Sequence, residues 1–164
     1  MKILKKTLWE MLAVVFILFL ILFATKHFYE EKEDSTHVVI ANLANQEIIL
    51  EVADNNFLRR LGLSGRDYMD ENYGMIFVYD YEIEGLSFWM KDTLIPLDMI
   101  FLNKNFEVVH IIENVPICYE EPCSQYTYEG SAKYVLELNA GWVENHGVEL
   151  GEVLELKGLD QFDS

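Results

Sequence analysis

The stretch Ser87-Phe-Trp-Met-Lys-Asp-Thr-Leu-Ile-Pro-Leu-Asp98 sets a polar knot of Lys91, Asp92 and Thr93, with a further carboxylate at Asp98, between two apolar runs of β-type residues. Burying an unpaired charge costs several kcal/mol, so charges in such a setting are paired or functional. The flanking runs, Leu86–Met90 and Leu97–Leu102, read as strands, and Lys91–Pro96 is the break between them.

Outward from this knot the pattern stays β-rich. His37–Leu43 and Glu47–Ala53 are short β-type runs joined at Ala44-Asn45-Gln46, which predicts a hairpin. Asp54 is placed to cap a short helix over Asn55–Leu61 that Gly62 closes. Further strands are expected at Gly74–Tyr79, Phe106–Glu113, Lys133–Asn139 and Glu152–Leu156, with an acidic turn through Glu82 and Glu84. A second short helix spans Gly141–His146 and ends at Gly147. Asn114–Gly130, with both cysteines and two prolines, reads as the longest loop. The expected fold is mainly β, a compact sandwich or barrel of about eight short strands with two short helices, preceded by one N-terminal transmembrane helix.

That helix is read from the N-terminus. Leu8–Thr25 is apolar except for Glu10 and the final threonine, and its 18 residues would span roughly 27 Å as a helix, close to a thin bilayer core. The run exceeds the 7–15-residue apolar region usual in a signal peptide, and no Ala-x-Ala site follows it, so an uncleaved anchor is preferred to a cleaved leader. Lys2, Lys5 and Lys6 precede the run and Glu30, Glu31, Glu33 and Asp34 follow it. The positive-inside rule then keeps the N-terminus cytoplasmic and exports the rest as a single-pass cell-membrane protein. The domain plan is an anchor over 1–26, an acidic linker over 27–36 and an exported domain over 37–164, with residues 8–25 meeting the membrane.

After Lys26 there are 27 acidic residues against 8 Lys or Arg, a net charge of −19. A broad nucleic-acid-binding surface is therefore not expected. The only cysteines, Cys118 and Cys123, are separated by Tyr-Glu-Glu-Pro, which is not a CxxC redox motif. In an oxidising compartment they are expected to form a local disulfide, worth about 2 kcal/mol by loop-closure entropy.

Several segments together carry a family resemblance: Glu51-Val-Ala-Asp54, Arg59-Arg-Leu-Gly-Leu63, Gly74-Met-Ile-Phe-Val78, Phe88 to Asp98, Asn114-Val-Pro-Ile-Cys118 and Tyr134-Val-Leu-Glu-Leu-Asn-Ala-Gly141. In this order the chain resembles the bacterial and archaeal family called domain of unknown function 192, over roughly residues 38–156. The resemblance implies a β-rich, exported or membrane-anchored protein, and it carries over no catalytic residues. Asp92 stands where the family motif usually has Asn, and Ser64 where Met is common. If that Asn makes an amide-specific hydrogen bond, the exchange alters its donor capacity.

Strand alternation puts Asp98 on the face of Ile100 and Leu102 as a candidate buried carboxylate, with Lys91 its expected partner across the Pro96 bend. Glu137 shares a face with Val135 and Asn139. The candidate ligand-binding residues are Trp89, Lys91, Asp92, Thr93, Asp98, Glu137 and Asn139, framed by the cysteine loop; the plainer alternative is a buried polar network that holds the strands. His27, His37, His110 and His146 have no metal-ligand spacing, and no GxSxG, HExxH, P-loop or dinucleotide motif is present. No cofactor and no metal site is expected. The preferred function is a non-enzymatic envelope module that binds a small ligand, a glycan or a protein. The alternative is a hydrolase using Asp98 and Glu137 as paired carboxylates, with a divalent ion such as Ca²⁺ as an option.

Overall fold

A computed structural model describes residues 14–23 and 37–157. Residues 14–23 form a helix, α1. Among the described residues no helix is long and apolar enough to cross a membrane. The expected span over 8–25 extends at both ends outside the described residues, as do the linker and the residues after Lys157. The chain divides between Ser35 and Thr36 into two units.

The second unit runs β1 (Val38–Leu43), β2 (Gln46–Ala53), α2 (Asn56–Leu61), β3 (Tyr73–Trp89), β4 (Leu97–Leu102), β5 (Val108–Val115), β6 (Gln125–Asn139), α3 (Trp142–His146) and β7 (Glu155–Lys157). The strands form one mixed sheet in the order β5-β4-β6-β3-β2-β1-β7. Among the described strands only β2 and β3 pair in parallel, because α2 and the turns after it carry the chain back across. The sheet curls until its two edge regions meet: Val108 N donates to Glu152 O at 2.7 Å, Gly151 N to Val108 O at 2.8 Å, and Leu154 N to Phe106 O at 2.9 Å.

An apolar cluster lies on each side of the sheet at β4, which is buried along its whole length. Ile100, Leu102, Leu136, Leu138, Leu50, Ile76 and Trp142 belong to one apolar cluster. Leu97, Met99, Phe101, Val135, Phe77 and Phe88 belong to the other. A strand buried on both sides reads as a continuous apolar run, which is how Leu97–Leu102 reads apart from Asp98.

Among the described residues seven strands replace the expected eight, because the runs expected at Gly74–Tyr79 and Leu86–Met90 form one long strand, β3. The acidic stretch expected as a turn, Glu82 to Glu84, lies inside β3, which continues through register shifts at Val78/Ile83 and Glu84/Leu86. Gly85, at φ 71°, occupies a left-handed position at the second shift, where a bulge tolerates the lack of a Cβ. Likewise Tyr126-Thr-Tyr128 belongs to β6, pairs with Leu86–Phe88, and cuts the expected Asn114–Gly130 loop to residues 116–124. The alternation that the polar residues obscured is nonetheless there: Tyr126 and Tyr128 are half-buried beside exposed Thr127. The β1–β2 hairpin turns through Ala44 and Asn45 at φ 51° and 60°, the left-handed pair a two-residue hairpin turn requires. The cap of α2 is Asn55 rather than Asp54, its side chain accepting from Leu58 N at 2.9 Å.

Gly74 lies between Leu50 of β2 and Leu138 of β6, and a Cβ there would sit 2.5 Å from both the Glu137 carbonyl oxygen and Leu138 Cδ2. Gly74→Ala is expected to lower stability by about 1–3 kcal/mol through overpacking. Urea unfolding measures this, and an unshifted midpoint would contradict so close an approach.

Candidate functional site

The register of β4 against β6 decides what the two buried carboxylates do. Asp98 lies opposite Leu138 and Met99 opposite Glu137, so neighbouring positions alternate between faces. Asp98 is therefore on the Ile100–Leu138 side, and Glu137 is on the Met99–Val135 side. The hydrolase alternative required Asp98 and Glu137 to converge; the register puts them on opposite faces, and the paired-carboxylate site is withdrawn.

Asp98 is fully buried and serves the fold. Its Oδ1 accepts from Asn114 N at 2.8 Å and its Oδ2 from Val143 N at 2.9 Å. Gly141, which caps α3, has no side chain to satisfy the first turn, so a carboxylate from a distant strand takes over that role. The expected Lys91–Asp98 pair is absent as well. Lys91 Nζ instead lies 2.8 Å from Glu121 Oε1, and this contact raises the Lys91 pKa and lowers that of Glu121. Asn139 is also structural, its amide donating to the carbonyls of Met69 and Asp70 at 3.0 Å. Asp92 sits at φ 56°, and its carbonyl accepts from Gly65 N at 2.7 Å. That left-handed position suits Asn and Asp alike, so the Asp92 exchange is explained by backbone conformation rather than by an amide contact.

The remaining candidates come together. Trp89, Lys91, Thr93 and Glu137 line a cavity of about 110 Å³ with Arg59, Arg60, Leu61–Leu63, Phe77, Tyr79, Ser87 and Phe88. Among the described residues Glu137 is the sole acidic side chain of this lining, and it is only 4 % exposed. Burial pushes its pKa up from 4.5 to about 8, so its carboxyl is largely protonated at neutral pH. Burial likewise raises Tyr79, while the charge of Arg59 pulls it down and that of Glu137 pushes it up.

The cationic part of the lining is held by the local fold. Arg59 donates from Nη1 to the carbonyls of Asp54 and Val78 at 2.6 Å and from Nη2 to Asn56 Oδ1 at 2.8 Å. Its guanidinium lies 5.0 Å from the centre of the Tyr79 ring. Among the described residues Arg59 and Arg60 form no ion pair. Arg59, Arg60 and Tyr79 are not among the candidate site residues read from the sequence, although Arg59 and Arg60 open one of the segments that carry the family resemblance. The available signal was that Arg59-Arg60 is the only adjacent pair of cations after Lys26.

Cys118 and Cys123 are joined as a disulfide. Their loop carries Glu121, and through it the ion pair that holds Lys91 beside the Trp89 ring, 5.8 Å from its centre. Among the described residues the cavity lining holds no histidine: His110 stacks on Tyr128 at 4.8 Å, and His146 on Trp142 at 4.2 Å. Among the described residues no group of three or more His, Cys, Asp or Glu could hold a metal ion.

The family model for domain of unknown function 192 (DUF192), described as an uncharacterized ACR, matches residues 38–156. A UPF0127 protein of Pyrococcus furiosus is 36 % identical over 118 residues, which make up 67 % of this chain and 90 % of that protein. Among solved structures, a protein of Sinorhizobium meliloti described as a candidate transcription regulator is similar at 31 % identity and TM-score 0.69, covering 76 % of this chain and 97 % of its own. A protein of unknown function from Novosphingobium aromaticivorans is similar at 27 % identity and TM-score 0.63, covering 73 % of this chain and 84 % of its own.

The two buried carboxylates are expected to respond in opposite ways to loss of charge. Asp98→Ala strands the Asn114 and Val143 amides and should cost about 3 kcal/mol in urea unfolding, with Asp98→Asn recovering part of it; an unchanged midpoint would contradict the capping role. Glu137 has a folded pKa above its unfolded one, so the unfolded chain loses its proton first as pH rises. Its contribution to stability therefore falls from about pH 4.5 to about pH 8, by on the order of 4 kcal/mol. Glu137→Gln is expected to flatten that part of the stability–pH curve and to be the more stable form at pH 8; the same slope in both proteins would remove this account of Glu137.

Proposed function

The chain belongs to the DUF192 family, and from that premise we propose that it is a non-enzymatic binding module of the cell envelope. Its ligand enters the cavity that Glu137 shares with Arg59, Arg60, Trp89, Lys91 and Thr93. The apolar run over 8–25 anchors the chain in the membrane, with the N-terminus cytoplasmic and the β-rich domain outside; the charge pattern around that run supports this, and a disulfide suits an oxidising compartment.

The observation that carries the binding reading is Glu137. A carboxyl group buried in an apolar cluster lowers stability at neutral pH, and a leucine there would not. A group that costs stability while lining a cavity is a mark of a functional site. Non-enzymatic binding is preferred because, among the described residues, the cavity lining holds no second carboxylate to act with Glu137. The relative described as a candidate transcription regulator brings nucleic-acid binding into view, but a net charge of −19 after Lys26 opposes a phosphate backbone lying across this surface.

Thermal unfolding of the full chain with a panel of small polar probes (amines, polyols, carboxylates and phosphate) tests the reading. At least one probe is expected to raise Tm, as a ligand that binds only the folded state must. The rise should shrink in Lys91→Ala and Arg60→Ala, whose exposed side chains make little difference to the unliganded Tm. If no probe stabilises the protein, the binding reading fails.

A further inference from the structure

Three of the seven Lys and Arg residues between positions 37 and 157 line the Glu137 cavity: Arg59, Arg60 and Lys91. In a domain this acidic, so much positive charge at one small cavity is an unequal distribution. Elsewhere Arg66 is paired with Glu51 at 2.6 Å, and Lys157 is paired with Glu47. Among the described residues, the only cation of this lining with an acidic partner is Lys91, paired with Glu121, while Arg59 is held by neutral carbonyl and amide oxygens. Thr93, Tyr79 and Ser87 also line the cavity, the Ser87 hydroxyl being engaged with Gln125 and Thr127.

Resting on the binding reading above, we infer that the occupant of this cavity is a small oxyanion, a carboxylate or a phosphate group, held between the Arg59–Arg60–Lys91 cations and the carboxyl of Glu137. At about 110 Å³ the cavity is small beside the roughly 300–1,000 Å³ that encloses a drug-sized ligand, so it takes either a small acid or the anionic end of a longer molecule. An ammonium ligand would face three cations. A neutral sugar would leave the Arg59 charge without a counter-ion. An anion meets charge-assisted donors from the cations, and in its protonated form Glu137 adds an O–H donor rather than a repelling charge.

This arrangement gives anion binding a defined pH dependence. The charged or titratable groups of the lining are Arg59 and Arg60 of α2, Tyr79 of β3, Lys91 after β3, and Glu137 of β6. Between pH 6.5 and 9.5 the group among them expected to change most is Glu137, which ionises near pH 8. If only the acid form binds, the anion's Kd rises about thirtyfold between those pH values, in proportion to the loss of the competent form.

Titration of the full chain with acetate, glycolate and inorganic phosphate at constant ionic strength, at pH 6.5 and 9.5, tests this. Ethylammonium and glycerol serve as the contrasting probes. Saturable binding of at least one anion at pH 6.5, weakened at pH 9.5, with the pH dependence abolished in Glu137→Gln and affinity reduced in Arg60→Gln, is the expected result. Which of the carboxylates and phosphate binds then separates an organic acid from a phosphate ligand. Binding of ethylammonium or glycerol without any anion would overturn the anion inference and leave the binding reading intact. Anion binding with the same pH dependence in Glu137→Gln would remove Glu137 from the recognition. No binding by any probe would overturn both.

Discussion

The antiparallel register of β4 on β6 assigns the two buried carboxylates to opposite faces of one sheet, and most of what distinguishes this domain depends on that assignment. On one side Asp98 is consumed by main-chain amides from the end of β5 and the start of α3. It joins three separate pieces of chain with two charge-assisted hydrogen bonds, which are stronger than neutral ones. On the other side Glu137 has no cation in contact with it among the described ion pairs, and burial dominates its chemistry. A slip of one residue would exchange the two faces and break both arrangements at once.

The curled sheet also explains why the cavity lies where it does. β3 and β6 are long enough to extend beyond the part of the sheet packed on the first apolar cluster, and their register shifts let them bend. The far ends then bring Ser87, Phe88 and Trp89 to the same cavity as Arg59 and Arg60. Phe77 and Phe88 meet edge to face at 5.0 Å, as do Phe88 and Phe101 at 6.1 Å, and these contacts hold the extended part of β3 against the sheet. α2 is a single short helix, yet its cap at Asn55 and the anchoring of Arg59 to Val78 set its last turn firmly at the rim.

Much of the fold was legible in the residues. The first hairpin, β4 with its full bounds, both short helices with their closing glycines and the disulfide were all read from alternation, turn chemistry and the cysteine spacing. The family was legible as well, because its motifs occur in order over nearly the whole domain. The interrupted strands were not. Asp80, Glu82, Glu84 and Gly85 have turn composition, but pairing of β3 with β6 overrides local preference when a partner strand supplies the hydrogen bonds. Of the candidate residues, Trp89, Lys91, Thr93 and Glu137 line one cavity, whereas Asp92, Asp98 and Asn139 serve the backbone around them.

By itself the sequence determined which residues alternate, where the chain turns, that Asp98 lies on the face of Ile100, and that Glu137 lies on the face of Val135. Those are properties of neighbours within one strand, and a period of two suffices to read them. Only the tertiary structure decided that these two faces are opposite sides of one sheet. Strand alternation specifies a side chain's orientation relative to its own strand, and the relation between two strands is set by their register, through pairings across a separation of dozens of residues. The same holds for Lys91. Sequence proximity favoured Asp98 as its partner, but the fold brings up Glu121 instead and leaves the buried carboxylate of Glu137 facing a cavity lined by cations.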